Sequence, residues 1–140
     1  MLAGERLLLT IWVGGLWAIG YMVAPALFAN LEDRALAGSL AGVMFEIIAY
    51  VGLACGTLLL LFNQLRYTDQ RFNWRALVLL VMILFIVAGQ FLVAPMITGL
   101  RSQGLTDSAE FGRLHGAASV LYLLNSLLGL VLIVARDGEN

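Results

Sequence analysis

The sequence predicts an all-α protein, a bundle of four transmembrane helices, from its composition and from four long apolar blocks. Of its 140 residues, 61% are hydrophobic and only 12% are charged, whereas soluble domains are typically about half apolar and about a quarter charged. The mean hydropathy is +0.94. Eight basic and nine acidic residues give a net charge of −1. The chain therefore lacks the cationic face that nucleic-acid phosphates require, and no nucleic-acid partner is expected.

The four blocks define the predicted spans and make the lipid bilayer the expected surroundings. They comprise residues 7–28, 36–62, 76–98 and 111–135. Each reaches the roughly 20 residues that an α-helix needs to cross a hydrocarbon core about 30 Å thick. Backbone groups inside a bilayer find no water, and the strands of a membrane barrel are only about 10 residues long, so each block is predicted to be helical. The spans form one transmembrane domain over residues 1–140.

The first and third spans share a motif that suggests an internal repeat. Val-Ala-Pro occupies residues 23–25 near the end of the first span and residues 93–95, 70 positions later, near the end of the third. Proline lacks an N–H, so Pro25 and Pro95 are expected to bend these helix ends. The motif indicates either two tandem hairpins related by a pseudo-two-fold axis along the membrane normal, or a chance recurrence in an apolar chain.

Small residues form stripes on the second and fourth spans. The glycines in these stripes are Gly38, Gly42, Gly52, Gly56, Gly112 and Gly116. Glycines four residues apart lie on one helix face and let two helices approach closely, which favours association where lipid removes the hydrophobic driving force. We therefore predict that these glycines pack helices together, with contact to a substrate as the alternative.

The arginines predict the orientation of the bundle. The connections between spans are short, so consecutive helices run antiparallel, and five of the eight arginines lie on the side of the two termini. Arg66, Arg71 and Arg75 in the middle loop are the main determinants, with Trp74 beside them as an interfacial anchor. The positive-inside rule then makes both termini cytoplasmic. Arginine supplies all the basic charge, which suits a GC-rich bacterium, so we expect a bacterial inner membrane.

Glu46 is the acidic residue that lies deep in a predicted span. It follows Ala37 by nine residues, which places it about 13 Å inside the bilayer. A carboxylate at that depth is costly unless it is paired, hydrated or protonated, and ionisable groups inside membranes suggest function for that reason. Gly38, Gly42 and Glu46 are spaced by four residues, so the carboxylate is expected to point into the bundle.

Other polar residues are predicted to share the half of the membrane that holds Glu46. They are Tyr21, Gln90, His115, Ser119 and Tyr122, with Tyr50 and Asn125 somewhat deeper. One hypothesis is a polar cavity that opens to the non-cytoplasmic side, with Glu46 and the single histidine, His115, as its titratable pair. The alternative is a closed hydrogen-bond network that only holds the bundle together, because buried polar groups usually satisfy one another.

A metal or cofactor site is a further hypothesis, which rests on residues of similar depth. The residues that could contribute ligands are Met22, Met44, Met96, His115 and Glu46. Thioethers and imidazole suit Cu(I), and a carboxylate suits a harder cation, although methionine is also a common core residue. A single histidine excludes a haem held by two axial histidines of one chain. It still allows a haem with His115 as its one protein ligand, or a haem held by the histidines of two chains in a dimer. No nucleotide-binding or hydrolase motif occurs, so no catalytic residue is predicted.

Several segments resemble a family of small four-helix membrane proteins of unknown function. The resemblance is carried by residues 12–15 (Trp-Val-Gly-Gly), 24–28 (Ala-Pro-Ala-Leu-Phe), 42–45 (Gly-Val-Met-Phe) and 111–116 (Phe-Gly-Arg-Leu-His-Gly), with Asn125. The family is similar to eukaryotic transmembrane protein 205, and distantly to copper-resistance protein D and the HemJ-type protoporphyrinogen oxidases. The resemblance covers essentially the whole chain and implies a four-helix bundle with a role in metal or drug tolerance. Those copper- and haem-linked relatives are expected to carry further ligands that this chain lacks.

Two classes of function remain. The first is a transport module in which Glu46 and His115 carry a proton, a cation or a small molecule. Four helices are too few to enclose a wide path, so this class implies a homo-oligomer. The second is a non-transporting scaffold or accessory protein whose glycine faces and arginine loop bind partners. A metal- or haem-dependent redox protein is a third interpretation.

Overall fold

The computed structural model describes residues 3–67 and 73–135, and the regular structure in these two ranges is entirely helical. Four of its helices are long and apolar enough to cross a membrane: α1 (Ala3–Asn30), α2 (Arg34–Arg66), α3 (Trp74–Ser102) and α4 (Ala109–Val134). The predicted all-α fold with four spans is confirmed. The helices begin or end a few residues beyond most of the apolar blocks.

Polar caps explain why three helices start before their apolar blocks. Asp33 accepts hydrogen bonds from the backbone N–H groups of Ala35 (2.8 Å) and Leu36 (3.1 Å) at the start of α2. Asn73 and Ser108 cap α3 and α4 in the same way. Such caps satisfy N–H groups that have no partner inside the helix, so the cap sets the helix start and hydropathy does not.

The four helices occupy the corners of a square in chain order. Each helix packs against its neighbours in sequence, and α4 closes the square against α1. Across the diagonal between α2 and α4, the rings of Phe45 and Tyr122 meet edge to face at 5.0 Å. We call the two ends of the bundle the Glu5 end, where α1 and α3 begin, and the Arg101 end, where they finish.

The hydrophobic core occupies the half of the bundle nearer the Glu5 end. Its most deeply buried large apolar side chains are Leu9, Trp12, Val13, Leu16, Met82 and Leu132. The Trp12 indole lies over Gly52 and Gly56 of α2: a Cβ at Gly52 would be 2.6 Å from Trp12 Nε1, and one at Gly56 would be 3.1 Å from Trp12 Cη2. These two glycines therefore make room for a large side chain.

The remaining stripe glycines have different surroundings. A Cβ at Gly38 would lie 3.3 Å from Nη2 of Arg101, and one at Gly42 would lie 3.7 Å from Nη1, so this pair faces the guanidinium of a residue on α3. Gly112 and Gly116 are exposed, and a Cβ at either would meet nothing within 4 Å. No helix within residues 3–67 and 73–135 covers that pair, so the prediction that these two glycines pack helices together now concerns a helix of a partner.

The two odd-numbered spans contain matching irregularities. Ile19–Val23 in α1 and Ala88–Val93 in α3 are π-helical, and an Ala-Pro dipeptide follows each segment directly. Proline removes an α-helical hydrogen bond and its ring crowds the carbonyl four residues earlier, which a wider turn relieves. The shared π segments before the two prolines give the sequence repeat a structural counterpart, while the expected bending at Pro25 and Pro95 stays a prediction.

The contact between Trp12 and Gly52 predicts a specific loss of stability. A methyl group at Gly52 would press on both Trp12 Nε1 and Ile86 Cδ1 (2.7 Å), so Gly52→Ala should lower the free energy of unfolding by about 1–3 kcal/mol. Thermal unfolding in detergent measures this loss. Gly14→Ala is the matched control, because a Cβ there meets nothing within 4 Å and alanine favours helix. Equal stability of the two variants would contradict the packing described here.

Candidate functional site

The structure places the two predicted titratable residues apart. Glu46 on α2 and His115 on α4 occupy helices at opposite corners of the bundle, and both side chains are exposed. The expectation that Glu46 points into the bundle is wrong. Successive residues turn by about 100° around an α-helix, so a step of four residues drifts by about 40°. Gly38 is buried and Gly42 is already exposed, and Glu46 lies a further step outward.

Glu46 instead belongs to a polar stripe on the outer surface of α2. The exposed members of this outer polar stripe are Ser39, Glu46, Tyr50 and Thr57. They are spaced by seven, four and seven residues, so all four side chains lie on nearly the same face of the helix. Sequence reasoning missed Ser39 and Thr57, although this spacing identifies them once Glu46 is taken as the reference. In a bilayer the stripe would face lipid unless another helix covers it.

Tyr122 is the one predicted polar residue that connects several helices. Its hydroxyl donates a hydrogen bond to the backbone carbonyl of Leu16 on α1 at 2.6 Å. Its ring meets Tyr21 of α1 at 6.2 Å and Phe45 of α2 at 5.0 Å, both edge to face. Tyr21 also contacts Trp17 at 4.7 Å. Tyr21 and Tyr122 thus lie together in an aromatic contact that joins two helices.

The other predicted cluster members are dispersed. Gln90 is half-buried in the π segment of α3, and exposed Ser119 donates a hydrogen bond to the carbonyl of His115 one turn earlier. Tyr50 meets Phe91 of α3 at 6.4 Å. Asn125 is buried in the core, and its Oδ1 has no hydrogen-bond partner. These side chains therefore do not form one shared cavity, and they do not form one closed network.

The candidate metal ligands are also apart. Met22 and Met96 are exposed on α1 and α3, and Met44 is half-buried on α2. Within residues 3–67 and 73–135, no group of three or more His, Cys, Asp or Glu side chains could hold an ion together. The His115 ring instead stacks on Phe111 of its own helix at 6.1 Å.

A second polar site, which sequence reasoning missed, lies at the Glu5 end. Glu5 is only 8% exposed, and its Oε2 lies 3.6 Å from Nη1 of Arg66. A small cavity of about 20 Å³ is lined by Glu5, Asn63, Arg66, Tyr67 and Arg75 above a floor of four leucines. That volume suits a single water or one oxygen atom of a ligand. We call this site the Glu5 cleft.

Asn63 gives the Glu5 cleft an unsatisfied hydrogen-bond donor. Its side chain is 5% exposed, its Oδ1 accepts from Asn73 Nδ2 at 3.1 Å, and its own Nδ2 has no partner. Glu5 precedes the core residue Leu9 by four residues, a spacing that places both side chains on the same, inward face of α1. This spacing could have indicated Glu5 from the sequence. Sequence reasoning assigned Arg66 and Arg75 to topology alone; Arg71, its third topology residue, lies outside the described residues.

The Tyr122 contact gives a prediction about stability. Tyr122→Phe removes the hydrogen bond to the Leu16 carbonyl but keeps the ring, so the free energy of unfolding should fall by about 0.5–1.5 kcal/mol. Thermal or denaturant unfolding in detergent tests this. Tyr21→Phe is the matched control, since Tyr21 is exposed and phenylalanine keeps its ring contacts with Trp17 and Tyr122. A Tyr122→Phe protein as stable as the wild type would argue against a role for this bond.

Comparison with known protein families gives a match over most of the chain. Residues 7–106 match the model of a family described as a domain of unknown function, DUF4149. The matched range contains α2, α3 and most of α1, and it ends before α4 and His115. No curated protein and no solved structure matches the chain.

Proposed function

Because the matched range is more than half of the chain, the protein belongs to the DUF4149 family, and we propose that it is a homo-oligomeric membrane module that takes up a proton or small cation at Glu46. The family has no assigned function. The proposal is carried by one observation: a carboxylate on the outer surface of a membrane span, far from both helix ends.

The depth of Glu46 limits how it can be accommodated. It lies 12 residues after Arg34, the first residue of α2, which corresponds to about 18 Å along the helix axis. An ionised carboxylate facing lipid at such a depth costs several kcal/mol, roughly 2.5 or more on insertion scales. Protonation removes the charge, and a covering helix with polar groups offsets it. A group that alternates between these two states takes up and releases a proton.

The outer polar stripe favours a second copy of this chain as the covering helix. A two-fold axis along the membrane normal would place Ser39, Tyr50 and Thr57 of one copy at the same depth as in the other. Tyr50 lies four residues from Glu46, about 6 Å along the helix axis, so its hydroxyl can donate a hydrogen bond to Glu46 of the partner subunit. A path inside one chain has less support, because Leu9, Trp12 and Met82 fill the centre of the Glu5 half.

The expected location follows from the arginine distribution. Arg66 and Arg75 lie at the Glu5 end, at the start or finish of their helices. The positive-inside rule would then place that end, and both termini, in the cytoplasm of a bacterial inner membrane. Glu46 would lie in the half of the membrane nearer the opposite surface.

Loss of the carboxylate should abolish ion uptake. In liposomes with an imposed potential and an internal pH-sensitive dye, we expect the wild type to take up protons and Glu46→Gln to fall to the level of empty liposomes. Glu110→Gln is the control, because Glu110 lies in the first turn of α4, outside the apolar part of the span. Proton and cation fluxes that are identical in the wild type and Glu46→Gln would refute the proposal.

The proposed contact between copies can be trapped with a disulfide. In a Cys55→Ala background, which removes the single native cysteine, Ser39→Cys should give a covalent dimer on mild oxidation in membranes. Ala29→Cys is exposed at the same end of the bundle but on α1, so it should remain monomeric on a denaturing gel. If both variants cross-link equally, or neither does, α2 is not the contact between copies.

An accessory role is a second candidate, favoured by the open face of α4. Gly112 and Gly116 are exposed and four residues apart, with space for another helix against them, which is the arrangement that membrane helices use for close contact. Persistent absence of flux together with a stable partner on α4 would favour this role. The sequence resemblance to transmembrane protein 205, copper-resistance protein D and HemJ-type proteins would imply metal or drug tolerance, but no curated protein matches the chain and no ligand cluster among the described residues favours copper or haem.

A further inference from the structure

We infer that Tyr122 is a gate near the middle of the bundle, which closes the half toward the Arg101 end and keeps water from Asn125, one turn farther along α4. This gate lies between α1 and α4 and is independent of the proposed ion uptake at Glu46. It depends on a change of burial along α4, on the contacts of the Tyr122 side chain with α1, and on the irregular backbone of α1 beside those contacts.

Burial in α4 changes abruptly after Tyr122. Every residue of α4 from Ala109 to residue 124 is exposed or half-buried, including those on the inner face. The buried residues of this helix all follow: Asn125, Ser126, Gly129 and Leu132. On α1, Leu16 is only 2% exposed, and within residues 17–30 only Ala24 is buried. Tyr122 therefore lies at the inner limit of the more open half of the bundle.

The Tyr122 side chain closes this limit by reaching into the backbone of α1. Its hydroxyl donates to the Leu16 carbonyl at 2.6 Å, and the backbone N–H of Gly20 donates to the same hydroxyl oxygen. These are the two groups that bond each other in an α-helix, where a carbonyl accepts from the N–H four residues later. A Cβ at Gly20 would overlap the Tyr122 ring, with Cζ at 3.0 Å. Glycine at this position therefore lets the ring lie against α1.

The backbone of α1 is suited to a movement at this contact. The π segment Ile19–Val23 surrounds Gly20, and Pro25, which lacks an N–H, follows directly after Ala24. Kinks in helices concentrate at prolines, at π segments and where a side chain enters the hydrogen-bond ladder, and α1 has all three features within residues 16–25. When the tyrosine withdraws, the Gly20 N–H and the Leu16 carbonyl can bond each other. Opening the gate therefore leaves neither backbone group unsatisfied.

Asn125 gives the open state a source of stabilisation. Its side chain is 3% exposed, and its Oδ1 has no hydrogen-bond partner and almost no accessible surface. A buried acceptor left unsatisfied costs free energy. Water has no access to this oxygen in the closed structure and gains it when Tyr122 withdraws. Hydration of Asn125 then offsets part of the cost of opening the gate.

Thiol labelling of the full chain in detergent tests the gate. In a Cys55→Ala background, Asn125→Cys places a thiol directly beyond Tyr122, where a water-soluble maleimide should modify it slowly because a buried thiol is unreactive. Gly20→Ala, whose Cβ displaces the tyrosine ring, should accelerate labelling by about tenfold or more. Tyr122→Phe, which loses one hydrogen bond, should accelerate it about two- to tenfold.

Two controls separate gate opening from general loss of structure. Gly89→Ala changes the π segment of α3, where a Cβ meets nothing within 4 Å, and should leave labelling of Asn125→Cys unchanged. Native Cys55 is 6% exposed and should stay unlabelled when Gly20→Ala is made in the otherwise unaltered chain. The inference is overturned if either Gly20→Ala or Tyr122→Phe fails to accelerate labelling of Asn125→Cys. Equal acceleration by Gly89→Ala, or labelling of Cys55 as fast as Asn125→Cys, would overturn it as well.

Discussion

The absence of water inside the bilayer is the constraint on which the rest of this structure depends. Backbone groups there must bond within the chain, so each apolar block becomes a helix. Polar side chains meet the same requirement one at a time. Tyr122 meets it through the Leu16 carbonyl, and Ser119 and Ser126 meet it through carbonyls one turn earlier in α4. Among the described residues, Asn63 Nδ2 has no hydrogen-bond partner and Glu46 faces outward from the bundle, and for that reason Glu46 carries the proposed function.

The sequence predicts the spans well because hydropathy and length are properties of whole segments. The direction of a side chain, by contrast, depends on a few tens of degrees of rotation about the helix axis. Gly52 and Gly112 have the same local pattern, a second glycine four residues later, yet one faces Trp12 and the other faces outward. Nothing in the pattern tells which face a neighbouring helix will occupy. Glu46 is mispredicted for the same reason, because a stripe repeated every four residues drifts around the helix. Glu5 is missed because its position at a helix end suggests a solvated residue, while its spacing to Leu9 turns it inward.

The bundle divides into two halves with different packing. Toward the Glu5 end, the Trp12 ring packs against Gly52 and Gly56, and a continuous apolar core joins all four helices. Toward the Arg101 end, both odd-numbered helices pass through a π segment before their prolines, and most side chains of the first turns of α4 are exposed. The π segment of α1 contacts α2, and Phe91 in that of α3 contacts Tyr50. The least regular backbone therefore borders the helix that carries Glu46, and π segments in membrane and soluble helices are frequent at functional sites.

Arg101 shows how the glycines at this end of the bundle differ from those around Trp12. Its guanidinium lies on α2 where Gly38 and Gly42 have no side chains, and Glu46 follows Gly42 by one turn on the same helix. A Cβ at Gly38 would lie 3.3 Å from the guanidinium, so that one of the two groups would have to shift, whereas a Cβ at Gly42, at 3.7 Å, would make an ordinary contact. The two glycines are therefore best understood as residues that let a cation of α3 lie against the helix that carries Glu46.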